Sequence, residues 1–125
     1  MKKFYRCNVC GNLIAMVNDS GVKPVCCDET MQELVPNTTD ASNEKHVPVV
    51  EYADGKVTVT VGSVLHPMLP EHHIAWIYLL TEQGGYLKYL PVDGKPIAEF
   101  TLGADKPLAA YEYCNLHGLW KLDIK

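Results

Sequence analysis

The chain reads as an all-β protein in which a small cysteine-rich domain precedes a seven-stranded antiparallel sandwich. Three observations carry that expectation. Eight prolines and nine glycines cut 125 residues into short apolar runs, which favours strands and turns over long helices. Four of the five cysteines fall before residue 28, in a stretch too short to bury a core of its own. The remainder repeats runs of β-branched and aromatic residues between turn signals, with clear alternation in Lys56-Val57-Thr58-Val59-Thr60-Val61.

Residues 1–36 form the expected first domain, with metal binding supplying much of its stability. The polar, turn-rich segment from Pro36 to Glu44 reads as a linker, and the boundary falls at about Leu34 to Thr39. Residues 37–125 form the second domain. Strands are expected near Val47 to Tyr52, Lys56 to Val61, Ile74 to Thr81, Gly85 to Pro91, Ile97 to Leu102, Leu108 to Cys114 and Leu119 to Ile124. Asp54-Gly55, Gln83-Gly84-Gly85, Asp93-Gly94-Lys95-Pro96 and Gly103 to Pro107 supply the turns. Seven short strands in under about ninety residues point to an immunoglobulin-like sandwich with Greek-key links. His66-Pro67-Met68-Leu69-Pro70-Glu71-His72-His73 interrupts this pattern. Each proline lacks an N–H and restricts its predecessor, so this is a loop held in shape.

A hydrophobic share of 47% supports a packed core, and a net charge of −4 with mixed signs offers no basic patch. Nucleic acid is therefore not an expected partner. No run approaches the roughly eighteen apolar residues of a membrane span, so no membrane partner is expected. The start Met1-Lys2-Lys3-Phe4-Tyr5-Arg6-Cys7 shows no apolar run leading to a cleavage site. Five cysteines in that setting favour metal or redox work over a disulfide framework, and the cytosol is the expected compartment.

Two ligand sets stand out. Cys7-Asn8-Val9-Cys10-Gly11 is a knuckle whose two thiolates can grip one ion while the glycine permits a tight reversal. With the adjacent pair Cys26-Cys27 it makes a tetrahedral all-sulfur site suited to zinc or to one iron. A structural zinc ribbon is the plain alternative. The second set joins Cys114 and His117, three residues apart, to His46, His66 and His72 upstream. One soft thiolate with several imidazoles suits a redox iron or copper better than a hard cation. Taken singly, each histidine is as well explained by a surface or hydrogen-bonded role. Trp76 and Trp120 are expected to pack rather than react.

Cys-x-x-Cys-Gly, the paired cysteines followed by Met31 and Leu34, Glu44-Lys45-His46-Val47-Pro48, the His66 to Ile77 run and Cys114-Asn115-Leu116-His117-Gly118-Leu119-Trp120 together resemble desulfoferrodoxin, the two-iron superoxide reductase family. The resemblance spans essentially the whole chain. It implies two irons per chain. Cys7, Cys10, Cys26 and Cys27 would hold the first in a rubredoxin-like or desulforedoxin-like site. His46, His66, His72 and His117 would surround the second in a plane, with Cys114 axial. His73 then occupies a variable position. The implied activity is one-electron reduction of superoxide to hydrogen peroxide without oxygen as a product, with a rubredoxin-like electron donor and a homodimer. Glu44 resembles the glutamate that can occupy the open iron position in the oxidised form. Lys45 at the rim would attract the anion. A structural two-zinc protein and a rubredoxin-like electron carrier are the competing readings, and a dismutase would return oxygen along with peroxide. One departure is visible: Asp28 stands where the family usually has glycine, so that position is expected to need a positive φ, which aspartate tolerates better than most residues.

Overall fold

The computed structural model describes residues 1–125. The chain divides into two compact units, Met1–Val35 and Pro36–Lys125.

In the first unit, β1 (Phe4–Arg6), β2 (Leu13–Ala15) and β5 (Gln32–Glu33) form a three-stranded sheet ordered β2-β1-β5. β3 (Val25–Cys26) and β4 (Glu29–Thr30) form a separate hairpin. The core is small: Tyr5, Cys7 and Met31 are buried, with Ile14, Met16 and Cys26 packed against them. A metal ligand is thus part of the core itself.

In the second unit, Asn37 is pinned rather than free. Its N–H and side-chain amide reach the Leu119 and Lys121 carbonyls, and its side-chain oxygen accepts the Lys121 N–H. A single helical turn, α1 (Asn43–His46), leads into β6 (Pro48–Ala53) and β7 (Lys56–Val61). β8 (Ile74–Thr81) and β9 (Gly84–Tyr89) make the next hairpin, followed by β10 (Ile97–Thr101), β11 (Pro107–Cys114) and β12 (Gly118–Asp123). The two sheets are ordered β10-β7-β6 and β12-β11-β8-β9. β10 returns to pair with β7, and β11 with β8, which are the long connections of a Greek key.

The expected strands are present, with their ends adjusted by one or two residues. β9 stops at Tyr89 rather than Pro91, which has no N–H to donate to the ladder. Alternation holds along β7, where Val57, Val59 and Val61 are fully buried. They meet Ile77 and Leu79 of β8, Ala98 and Phe100 of β10 and Ala110 of β11 in one cluster. Cys114 closes that cluster at its end, so the inner layer runs directly into a candidate ligand.

Candidate metal centres

The four-cysteine site is built by two tight turns. Between Cys7 and Asn12 the chain reverses on Gly11 at φ +82°, with the Cys7 N–H donating to the Asn12 carbonyl at 2.8 Å and the Gly11 N–H to the Cys7 carbonyl at 3.0 Å. Opposite it, Val25 pairs with Thr30 and Cys26 with Glu29, leaving Cys27 and Asp28 as a two-residue hairpin loop. Both have positive φ, 52° and 59°, as a type I′ turn requires at its two central positions. This turn explains how adjacent cysteines serve one site: Cys26 ends a strand, while Cys27 is swung back by the left-handed backbone. It also answers the question raised by Asp28, which does adopt positive φ.

The four sulfurs lie within 4.8 Å of one another. The Cys10–Cys26 and Cys26–Cys27 separations are 3.7 and 4.0 Å, against about 3.8 Å for a tetrahedron with metal–sulfur bonds near 2.3 Å. The donors therefore fit a tetrahedral thiophilic ion. Their protonation is uneven. The N–H of Cys10, then that of Val9, pulls the Cys7 thiol down to about 6, whereas hydrogen bonds with Cys10, Cys7 and Cys26 push Cys27 up to about 12. A cation would replace the shared protons, so binding is coupled to proton release.

The second site lies at one end of the sandwich, where four chain segments converge. His46 comes from α1. Its Nδ1 is 2.7 Å from the Ser42 carbonyl oxygen; because a carbonyl only accepts, Nδ1 carries the proton and Nε2 is left as the ligand atom. His66 follows the same rule, with Nδ1 at 2.7 Å from the Pro67 carbonyl. His72 Nε2 is buried and makes no hydrogen bond, an orphaned nitrogen of the kind a metal satisfies. His117 presents Nδ1 instead, 3.2 Å from His46 Nε2.

Ring separations place the four imidazoles in cyclic order. Neighbouring centroids are 4.6 Å (His46–His66), 4.5 Å (His66–His72), 5.2 Å (His72–His117) and 4.9 Å (His117–His46), while the His46–His72 diagonal is 6.5 Å. The His46–His66 nitrogens are 3.1 Å apart, close to the roughly 3 Å edge of a square with metal–nitrogen bonds near 2.1 Å. Cys114 Sγ stands 3.5 Å from His66 Nε2 and 3.8 Å from His117 Nδ1. All five donor atoms fall within 4.8 Å.

Local sequence explains each placement. Register slips between Tyr113 and Cys114, so Cys114 pairs with Ile74 rather than Ala75; a bulge of this kind re-aims a side chain, and Cys114 ends fully buried. Gly118 turns at φ +79° to begin β12 directly after His117. Gly62 allows α1 to lie against the end of β7: a Cβ there would stand 2.6 Å from the Glu44 carbonyl and 2.9 Å from that of Val47.

Burial sets the electrostatics. Desolvation lowers the pKa of His46, His66 and His72, taking His66 to about 4, so these rings are neutral and ready to ligate at ordinary pH. Desolvation raises the Cys114 thiol, so a bound cation would be needed to drive its deprotonation. The Lys45 charge reaches both His46 and His72, lowering their pKa further, while Glu44 and Lys45 themselves are exposed.

His73 is held apart from the ligands: its Nδ1 lies 2.9 Å from the Leu69 carbonyl, and its N–H donates to Asn115 Oδ1 at 2.9 Å. Asn115 also donates from Nδ2 to the Glu71 carbonyl, tying the His72 loop to the Cys114 loop. Sequence spacing gave no reason to single out Asn115. Trp120 packs, as expected, and it does so on a ligand: its ring stacks on His46 at 4.9 Å.

Fold and sites together define a two-centre metalloprotein, with one four-thiolate site and one site of four imidazoles and a thiolate. The desulfoferrodoxin family profile matches residues 38–123, and the desulfoferrodoxin N-terminal domain profile matches residues 1–34. The chain belongs to the desulfoferrodoxin family. It is 45% identical over 121 residues to the desulfoferrodoxin of Nitratidesulfovibrio vulgaris, covering 97% of this chain and 95% of that protein. Identity to the desulfoferrodoxin of Desulfarculus baarsii is 44% over 119 residues, covering 95% and 94%. The crystal structure of the superoxide reductase from Treponema pallidum aligns with a TM-score of 0.83 at 44% identity, covering 98% of this chain and 99% of that one.

Proposed function

We propose that the chain reduces superoxide by one electron to hydrogen peroxide, consuming two protons and producing no oxygen. The observation that carries this reading is the ring of four imidazoles beside the buried Cys114 sulfur, five donor atoms within 4.8 Å of one another, a set that would leave one side of the ring for a small ligand. Iron held there supplies the electron. The protein fixes what surrounds it. Ser42 and Pro67 carbonyls hold two rings in the ligating tautomer, and burial keeps bulk water away from His46, His66 and Cys114. Lys45 raises the positive potential at His46 and His72, which suits an anionic substrate. Glu44, one residue away and exposed, exchanges with the substrate for the open side in this reading.

Cys7, Cys10, Cys26 and Cys27 would hold a second iron able to store or relay electrons, with a rubredoxin-like protein as the proposed donor and a homodimer as the proposed working form. Five free cysteines and two thiolate-bearing metal sites suit a reducing compartment, so the cytosol is the proposed location. No helix is long and apolar enough to cross a membrane.

The deciding experiment mixes iron-loaded, pre-reduced protein with a known superoxide pulse without oxygen. One peroxide per superoxide with no oxygen establishes reduction. Half a peroxide with oxygen establishes dismutation instead, and unaccelerated decay returns the site to electron carriage or structural zinc.

A further inference from the structure

Among the four cysteines of the first site, Cys26 alone has a side-chain amide facing its sulfur. Asn12 Nδ2 lies 3.8 Å from Cys26 Sγ. The geometry is imposed by the turn that builds the site: the Asn12 carbonyl accepts the N–H of the ligand Cys7 at 2.8 Å, so its backbone cannot swing away while the site is intact. The orientation of the amide follows from chemistry. A thiolate accepts hydrogen bonds, so the NH2 end turns toward sulfur and the oxygen end away. Neither the Cys-x-x-Cys-Gly knuckle nor the pairing with Cys26-Cys27 demands a donor at this position.

We propose that Asn12 tunes the four-thiolate iron, raising its reduction potential through an N–H···S hydrogen bond to Cys26. The reduced centre carries one more negative charge on the same four sulfurs. A donor to sulfur stabilises that state more than the oxidised one, and hydrogen bonds to thiolates are among the levers that set such potentials. The Cys10 N–H does the same for Cys7, at 3.4 Å from its sulfur, but a backbone donor cannot be varied by substitution. Asn12 is the adjustable one. It is exposed, so it can be changed without opening the core.

The test is an anaerobic redox titration of the iron-loaded full chain, following the visible absorption of the oxidised four-thiolate centre, for Asn12→Asp, Asn12→Leu and the parent. Asp keeps the shape and removes the donor, so it separates hydrogen bonding from packing. At the parent midpoint, both variants are expected to show at least about a threefold fall in the reduced-to-oxidised ratio, about 28 mV at about 59 mV per tenfold. Asp is expected to fall further, since it adds a charge, and the midpoint of the second centre should not move. Parent-like potentials in both variants overturn the proposal. So does a fall in Asp alone, which would reduce the effect to charge.

Discussion

Trp120 is stacked on the imidazole of His46, with centroids 4.9 Å apart and planes at 27°, and its indole N–H is bound to the His117 carbonyl at 3.1 Å. One buried side chain thereby braces two ligands that come from residues 71 apart in the chain. Replacing Trp120 with phenylalanine keeps the stack and loses the N–H; replacing it with leucine loses both. Partners behind metal ligands are worth about 10- to 100-fold in metal affinity. Trp120→Leu is therefore expected to weaken iron binding at the histidine site by that order, with Trp120→Phe intermediate, as read by metal competition with a chelator.

The role proposed for Lys45 predicts a rate effect rather than a binding one. Lys45→Ala is expected to slow the second-order reaction with superoxide by about tenfold at low salt, converging on the parent as ionic strength rises. Iron content should be unchanged. Glu44→Ala should instead alter the absorption spectrum of the oxidised site. Pulse radiolysis across a salt series, with spectra of the oxidised proteins, separates the two roles.

Asp28 sits at φ 59° in the Cys27-Asp28 turn. Asp28→Gly removes the steric penalty of that backbone, about 1 kcal/mol or less for a residue as tolerant as aspartate. It also removes a negative charge beside the thiolates, so the first iron's potential is expected to rise. Asp28→Val places a β-branched side chain in the same conformation and should cost the small unit its metal. Metal content and a redox titration check both.

Much of this was legible in advance because turns and ligands share a chemistry of small, punctuating residues. The seven sandwich strands follow from β-branched runs between glycine and aspartate breaks, and Val57, Val59 and Val61 point inward as alternation requires. The nine ligands are unusual residue types at meaningful spacings, and the structure gathers them into two groups. What spacing could not supply was the support behind them. Asn115 and Trp120 have roles that depend on which segment lies opposite, which spacing does not show. The pinning of Asn37 to Lys121 spans 84 residues, and its segment shows only the polarity of a linker. Glu112 was invisible for a different reason: it sits where alternation along β11 puts a core residue.

Glu112 is fully buried, and neither carboxylate oxygen has a hydrogen-bond partner. Desolvation holds its carboxyl well above the ordinary value of 4.5. The folded protein thus keeps a proton that the unfolded chain releases, and stability falls as pH rises above about 4.5 toward the raised folded value. Glu112→Gln carries no such titration. Urea denaturation at pH 5 and pH 8 is expected to show a gain over the parent at pH 8 that shrinks at pH 5; equal gains at both would remove Glu112 from the account.

Metal removal should affect the two units unequally. With only Phe4, Tyr5, Cys7 and Met31 buried, the first unit has too little core to stay folded without its ion. Stripping both metals is expected to collapse the amide spectrum of residues 1–35 while the sandwich signals of residues 36–125 persist, as heteronuclear NMR can show.

The convergence of His46, His66, His72 and the Cys114 to His117 turn on one point has a kinetic side. Two of these segments carry their own local braces, Ser42 and Pro67, so thermal fraying of any single segment leaves the remaining donors in place to recapture the ion. Escape requires several strand ends to open together, a rare excursion in a sandwich whose inner layer runs up to Cys114. Residence time of a bound ion would then be set by the slow breathing of that end of the sandwich, and a site assembled from distant parts of the sequence would retain a readily exchanged ferrous ion across many turnovers.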